Sequence, residues 1–409
     1  MTGSQTLVVA QTGGPSAVIN STLAGIIEEA RSWPEIKDVI GCVHGYHGLF
    51  GQNYISLSGF DDDLLKRLRN TPGAFLGSSR LPLTDNHFAQ IPALLDDLKA
   101  GYYLQIGGNG TMYAANLIAE EIKQAGKDMQ VIGVPKTVDN DIILMDHTPG
   151  FASAARYVIQ ATLDNGIDLW SMRHFEQVRI LEVMGRNVGW LAAASGFAQR
   201  NEKEAPHLIY LPEIPFHEDE FIKDVQAVVQ ELGYAVVVVG EGIRDEQGNS
   251  IGNNPFTDVN KGSQVFGGAA SYLAAKVTQE LKIRARAQDL GMVQRCFTPV
   301  RSELDEQEAY WVGRAAVRAA VAGQGGNMVY VEKLAARELL PYQTLPLARI
   351  GGKEKEVPEK FYNKQAKHVT AEFKAWLKPL LGQWHLQYLH LHDFPKPQDI
   401  HGQGVKAEG

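Results

Sequence analysis

Thr6-Leu7-Val8-Val9-Ala10-Gln11-Thr12-Gly13-Gly14-Pro15-Ser16 is the stretch on which the fold turns. Thr6–Ala10 is an apolar run without alternation, which predicts a strand covered on both faces. Two glycines and a proline stop it. Ala17–Ala30 then carries helical patterning, with Asn20 inside it. Glycine lets backbone N–H groups approach an anion closely, and a helix N-terminus adds a favourable dipole. The turn therefore has two readings, a seat for a phosphate or a tight strand-to-helix reversal.

The same grammar recurs downstream. Tyr102–Ile106, Val131–Val134, Val178–Val183, His207–Leu211 and Ala235–Val239 are short apolar runs, and Met112–Gln124, Phe151–Asn165 and Glu306–Ala322 are helical segments between or after them. This alternation predicts an α/β fold with mostly parallel sheets flanked by helices. Ala309, Val312, Ala316 and Ala319 form a packing stripe on the last of these helices. A second glycine turn, Ile106-Gly107-Gly108-Asn109-Gly110-Thr111, also follows a strand. Two such turns belong together at the carboxyl edge of a parallel sheet, where α/β proteins place ligands. Neither turn is GxxxxGK[ST] or GxGxxG, which argues against a P-loop NTPase and a nicotinamide dehydrogenase.

The chain has 409 residues, 44% hydrophobic and 21% charged, as expected for two globular domains. Its net charge of −8, without a Lys/Arg-rich run, argues against nucleic acid and anionic membrane as partners. Cys42 and Cys296 cannot build a disulfide framework or a zinc knuckle. The amino terminus lacks the pattern of a signal peptide and no window reaches 18 apolar residues, so a cytoplasmic location is expected. After about residue 330 the texture changes to a charged loop at Lys353–Lys360, then a helical stretch, then a tail from Phe394 that reads as frayed.

Pro135-Lys136-Thr137-Val138-Asp139-Asn140-Asp141 follows the strand Val131–Val134. Phosphoryl transfer to an alcohol needs these types: a carboxylate to accept the hydroxyl proton, an acid to help hold Mg²⁺ and a cation for the transferred group. Asp and Asn are also common in turns for local hydrogen-bonding reasons.

Together these motifs resemble the phosphofructokinase family, from about residue 6 to at least 322. The resemblance extends to Gly45-Tyr46-His47-Gly48, Phe75-Leu76-Gly77-Ser78-Ser79-Arg80, Glu182-Val183-Met184-Gly185-Arg186, Pro212-Glu213 and Leu290-Gly291-Met292-Val293-Gln294-Arg295. It is most similar to the longer bacterial members that use pyrophosphate. The resemblance implies two α/β domains with the active site in the cleft between them. Residues 1–150 would bind the phosphoryl donor, completed by part of 265–325. Residues 151–330 would bind fructose 6-phosphate, and 331–409 would pack on the core as an extension. It implies a homodimer or homotetramer whose sugar-phosphate site borrows residues from a neighbour.

The resemblance also implies roles. Asp139 is the general base on the C1 hydroxyl, with Lys136 and Arg80 at the transferred group. Gly13, Gly14, Gly108, Gly110 and Thr111 surround the donor phosphates. Asn109 and Asp141 form the Mg²⁺ site. Thr137, Met184, Gly185, Arg186, Glu213, Arg286 and Arg295 hold the sugar phosphate, where an arginine fork suits phosphate and a glutamate suits hydroxyls. Asn109 stands where many relatives carry Asp, and Met292 where many carry His or Tyr. Lys136 is the pyrophosphate type, whereas Gly110 is the ATP type, since pyrophosphate users commonly place an Asp there that excludes the nucleotide α-phosphate. Pyrophosphate is the favoured donor and ATP the alternative. A non-catalytic homologue and an NAD- or lipid-kinase relationship are the rival classes, the second opposed by Thr137–Asp141, Phe75–Arg80 and Met184–Arg186. His385, His390 and His392 lack a third ligand at zinc-like spacing and read as packing or surface histidines.

Overall fold

The computed structural model describes residues 5–252, 267–331, 342–384 and 388–394. Its framework is two separate sheets. The first contains β1 (Gln5–Gln11), β2 (Ile36–Cys42), β3 (Tyr54–Ser56), β4 (Ala100–Gly107), β5 (Gln130–Pro135), β10 (Asn327–Val331) and β11 (Tyr342–Pro346), in the order β11-β10-β5-β4-β1-β2-β3. Only the outermost pairs, β2–β3 and β10–β11, are antiparallel. The second contains β6 (Val178–Val183), β7 (Leu208–Tyr210), β8 (Ala235–Gly240) and β9 (Ala285–Asp289), all parallel, in the order β7-β8-β6-β9. Every strand expected from the apolar runs is present, within two residues at its ends.

The central strands are buried on both faces because helices cover both faces. Leu7, Val9, Leu104, Ile132 and Val134 face a core completed by the helices Ile19–Ala30 and Glu303–Val321. Val8, Ala10, Tyr103 and Val131 face the core beneath the helix Asn109–Gln124. The two helices of the first layer cross at glycines. A Cβ on Gly313 would sit 2.0 Å from the carbonyl oxygen of Thr22, and one on Gly25 would sit 2.1 Å from that of Tyr310. Glu29 fastens the crossing through Arg314 at 2.7 Å and Arg318 at 2.8 Å.

The described residues of the last third pack against both sheets. The helix Glu303–Val321, β10 and β11 belong to the first sheet and its helical cover, so the boundary expected at 330 falls within β10, whose partner β11 lies beyond it. The helix Ala371–Leu380, capped by Thr370, buries Phe373, Leu377 and Leu380 in the second core. Trp190 joins Phe361, Phe373 and Trp376 there, ring against ring. Among the described residues, no helix is long and apolar enough to cross a membrane.

The glycine crossing has a testable sign. Alanine gains about 1 kcal/mol over glycine in a helix interior, whereas overpacking a core costs about 1–3 kcal/mol. The obstacle at Gly313 is backbone and cannot swing away. Gly313→Ala should therefore lower the thermal unfolding midpoint, and a raised midpoint would contradict this packing.

Candidate active site

Strand order explains why three separate motifs meet. β5, β4 and β1 are adjacent and parallel, so the turns after them emerge side by side at one sheet edge. In the first turn Gly13 has φ +74°, and its N–H donates to the carbonyl of Ser79 at 3.0 Å. Only glycine adopts that conformation without strain. Asn20, in the following helix, does not reach the turn's mouth. It is buried, accepts from Phe75 N at 2.9 Å and from Gln11 at 3.1 Å, and donates to Thr71 O. Gln11 in turn accepts from Leu76 N at 2.9 Å. The pair pins the segment that carries Ser78, Ser79 and Arg80.

The second turn is joined to the first by hydroxyls: Thr12 and Thr111 share a hydrogen bond of 2.7 Å. Lys136 begins the third turn. Its side chain is almost wholly buried, and its ammonium donates to the carbonyls of Gly14 and, at 3.5 Å, Thr12. Arg80 and Arg295 converge over Gly14, whose hypothetical Cβ would lie 3.6 and 3.4 Å from their guanidinium nitrogens.

The second sheet supplies the opposite wall in the same way, from β8, β6 and β9. Met184 and Arg186 follow β6, and the N–H of Met184 is held by Gln294 at 2.9 Å. Gly185, at φ +127°, lies so close to the carbonyl of Val188 that a side chain would stand 2.4 Å from it. The resulting cleft measures about 1020 Å³ and is lined by Gly13, Gly14, Arg80, Gly108, Asn109, Gly110, Thr111, Lys136, Thr137, Asp139, Asp141, Met184, Arg186, Glu241, Met292 and Arg295, among others. This is at the upper end for a small-molecule site and leaves room for two ligands side by side.

Two residues expected at the site lie outside the cleft wall and a third, at its rim, is held by the backbone. Glu213 is not in the cleft wall; one carboxylate oxygen accepts from Gly189 N at 3.1 Å and Val357 N at 3.0 Å. Arg286 lies exposed on the edge strand β9, with its guanidinium 3.0 Å from Glu176. Asn109 is at the rim, but its amide is spent on the chain at Gly352 and Lys353. Glu241 is the acid that the sequence reading missed. It follows β8 directly and faces the cleft. The signal was present, since a carboxylate ending a Val-rich strand between two glycines has the same grammar as the three turns already read.

The electrostatics concentrate on the third turn. Burial, reinforced by Asp141 and Glu241, pushes the Asp139 carboxyl up to about 7, with Lys136 and Arg186 opposing. Burial draws Lys136 down to about 8, with Asp139 and Asp141 opposing. Burial also raises Asp141 and Glu241 above the usual carboxylate range. One oxygen of Asp141 is buried without a hydrogen-bond partner. A hard cation such as Mg²⁺ fits that orphaned oxygen at the cleft wall, because it takes oxygen ligands and few from the protein.

The histidines near the carboxyl terminus gather elsewhere. His390 and His392 approach Glu204 to 3.9 and 3.0 Å. The same carboxylate oxygen already accepts from Arg200 at 2.6 Å and Asn201 at 3.0 Å, so an ion-pair network satisfies it. His385 lies outside the described residues.

Two sheets that deliver glycine turns, a buried lysine and paired carboxylates into one cleft define a phosphotransferase of the two-domain α/β type. The chain belongs to the phosphofructokinase family, whose model, described as "Phosphofructokinase", matches residues 6–320. It is 35% identical to a pyrophosphate--fructose 6-phosphate 1-phosphotransferase of Rhodospirillum rubrum, over 92% of this chain and 94% of that protein. It is 38% identical to a sulfofructose kinase of Alkalicoccus urumqiensis, over 80% of this chain and 83% of that one. The crystal structure of a pyrophosphate-dependent phosphofructokinase from Nitrosospira multiformis superimposes with a TM-score of 0.84 at 30% identity, covering 95% and 94% of the two chains.

The charge pattern can be read directly. In a carboxyl ¹³C titration assigned with Asp139→Asn, the Asp139 resonance should have its midpoint near 7. Lys136→Met removes a cation that lowers that midpoint and should raise it further. A midpoint near the ordinary carboxylate value of about 4, or a fall in the lysine variant, would contradict this arrangement.

Proposed function

We propose that the protein transfers a phosphoryl group from pyrophosphate to the C1 hydroxyl of fructose 6-phosphate, reversibly and with Mg²⁺, giving fructose 1,6-bisphosphate. The observation that carries this reading is the buried ammonium of Lys136, held by the backbone of the first glycine turn beside Asp139. A cation so placed stabilises charge on the transferred group and on a phosphate leaving group, and a fixed one does so without reorganising. Asp139 takes the hydroxyl proton as the new O–P bond forms and the bridging P–O bond breaks. A carboxylate with its affinity for protons raised suits that task.

Gly13, Gly14, Gly108, Gly110 and Thr111 seat the donor, and Arg80 neutralises the moving phosphoryl group. Asp141 would hold Mg²⁺ through its unpartnered oxygen, and the ion would supply charge neutralisation to the phosphates. Thr137, Met184, Gly185, Arg186 and Arg295 hold the sugar phosphate, with Glu241 in place of Glu213 as acceptor for its hydroxyls. Arg286, on the edge strand outside this cleft, serves the sugar-phosphate site of a neighbouring chain in a homo-oligomer, and the working compartment is the cytoplasm. Gly110, with open space where a Cβ would stand, leaves room for ATP as the alternative donor.

A second reading concerns the acceptor. Met292 is 61% exposed in the cleft wall, and its thioether donates no hydrogen bond. That suits a terminal anion of lower charge, such as the sulfonate of sulfofructose. Steady-state transfer should therefore be measured for both donors with both acceptors. The proposal expects turnover with pyrophosphate and fructose 6-phosphate, reduced by about 10² in Asp139→Ser. Turnover confined to sulfofructose would replace the acceptor, turnover confined to ATP would replace the donor, and none with any pair would return the chain to a non-catalytic role.

A further inference from the structure

Residues 350–357 lie beyond the last strand of the first sheet, and the catalytic reading gives them no task. They run along the cleft from the first sheet's helix to the second sheet's core. Gly351 packs on Tyr113, and Gly352 N donates to Asn109 at 3.2 Å. Glu354 bridges Ile142 in antiparallel fashion, and Lys355 N donates to the carbonyl of Asp141 at 2.8 Å. Beyond the loop, Glu354 accepts from Asn187 at 2.7 Å, and the carbonyl of Lys355 accepts from the Trp190 indole at 2.7 Å.

The side chain of Lys355 turns into the acidic loop. Its ammonium donates to Asn140 Oδ1, to the carbonyl of Met145 and to the carbonyl of Asp146, each at 3.0 Å. Three oxygens thus meet the three N–H bonds of the ammonium form, while burial draws Lys355 down to about 7, with Asp146 and Asp141 opposing. Asn140 is fully buried at φ +56°. A non-glycine residue in that conformation is held there by its surroundings. Besides Lys355, the amide N–H of Thr148 donates to Asn140 Oδ1, at 3.0 Å. Asn140 stands between Asp139 and Asp141, so its backbone sets where both carboxylates go.

We propose that Lys355 is a positioning residue for phosphoryl transfer: its ammonium locks Asn140 in the left-handed turn that presents Asp139 and Asp141 to the cleft, and residues 350–357 are the strap that delivers it. This rests on the proposed role of Asp139. Lys355 touches no reacting atom and acts only through the loop.

The test combines a readout of the loop with a readout of the reaction. Lys355→Met keeps the length of the side chain and removes its donors. Asn140→Gly keeps the positive φ and removes the acceptor. Each variant should exchange the amide hydrogens of residues 137–148 about tenfold faster or more. Each should lose about 10- to 10²-fold in kcat, as expected for misplacement by a fraction of an ångström. KM for both substrates should stay within about threefold, and the double variant should be no worse than the worse single one. Unchanged exchange, kcat within twofold of wild type, or losses that multiply in the double variant would overturn the proposal. If Lys355→Met does not fold, Asn140→Gly decides by the same criteria. Faster exchange in these variants together with near-normal turnover in Asp139→Ser would remove the base and keep the strap. Unchanged exchange with a crippled Asp139→Ser would keep the base and remove the strap.

Discussion

The site depends on one buried charge. Taking an ammonium out of water costs several kcal/mol even after the protein relaxes, and Lys136 is almost wholly removed from water. The compensation comes from the backbone carbonyls of Thr12 and Gly14 and from the field of Asp139 and Asp141. Those carbonyls exist at that point only because β1, β4 and β5 are neighbours. The lysine thereby ties the order of strands in the sheet to the chemistry at its edge. It also explains how buried carboxylates can share one short turn, since they and the lysine each supply part of what the other lacks.

The second sheet closes the arrangement from the other side. Arg186, Glu241 and Arg295 come from its carboxyl edge, so transfer requires the two edges to face each other. Segments that cross between the layers hold that geometry. Asp305, from the helix that covers the first sheet, accepts from Gly150 N at 2.8 Å and Ser153 N at 2.9 Å, where the helix Phe151–Met172 enters the second core. The strap 350–357 makes a second crossing. The strap thereby joins the layers and braces the acidic loop.

Much of this was legible in the sequence where local chemistry and tertiary role agree. β1, β5, β6 and β8 are rich in Val, Ile and Leu, and β4 in apolar residues more broadly, because they are covered on both faces, and the glycine turns are visible because Gly13, at positive φ, and Gly107, pressed against Thr111, leave no place for a side chain. The parts that stayed hidden have physical reasons. β9 reads Ala-Arg-Ala-Gln-Asp because it is a half-exposed edge, so no apolar run marks it. Glu213 is expected at the sugar phosphate through the family resemblance, whereas the structure turns one of its carboxylate oxygens to the backbone N–H groups of Gly189 and Val357, outside the cleft wall. Glu241 follows a strand directly and faces the cleft. The task of Lys355 was invisible because its partners lie more than 200 positions away in the chain.

The central claim is that the ammonium of Lys136 selects the donor. Titration calorimetry of magnesium pyrophosphate and of magnesium ATP into the wild-type chain and Lys136→Met tests it without turnover. The account predicts that the substitution weakens pyrophosphate binding about tenfold or more, in line with a lost charge-assisted contact, while ATP binding changes far less. Equal losses for the two ligands, or pyrophosphate binding that survives intact, would contradict it.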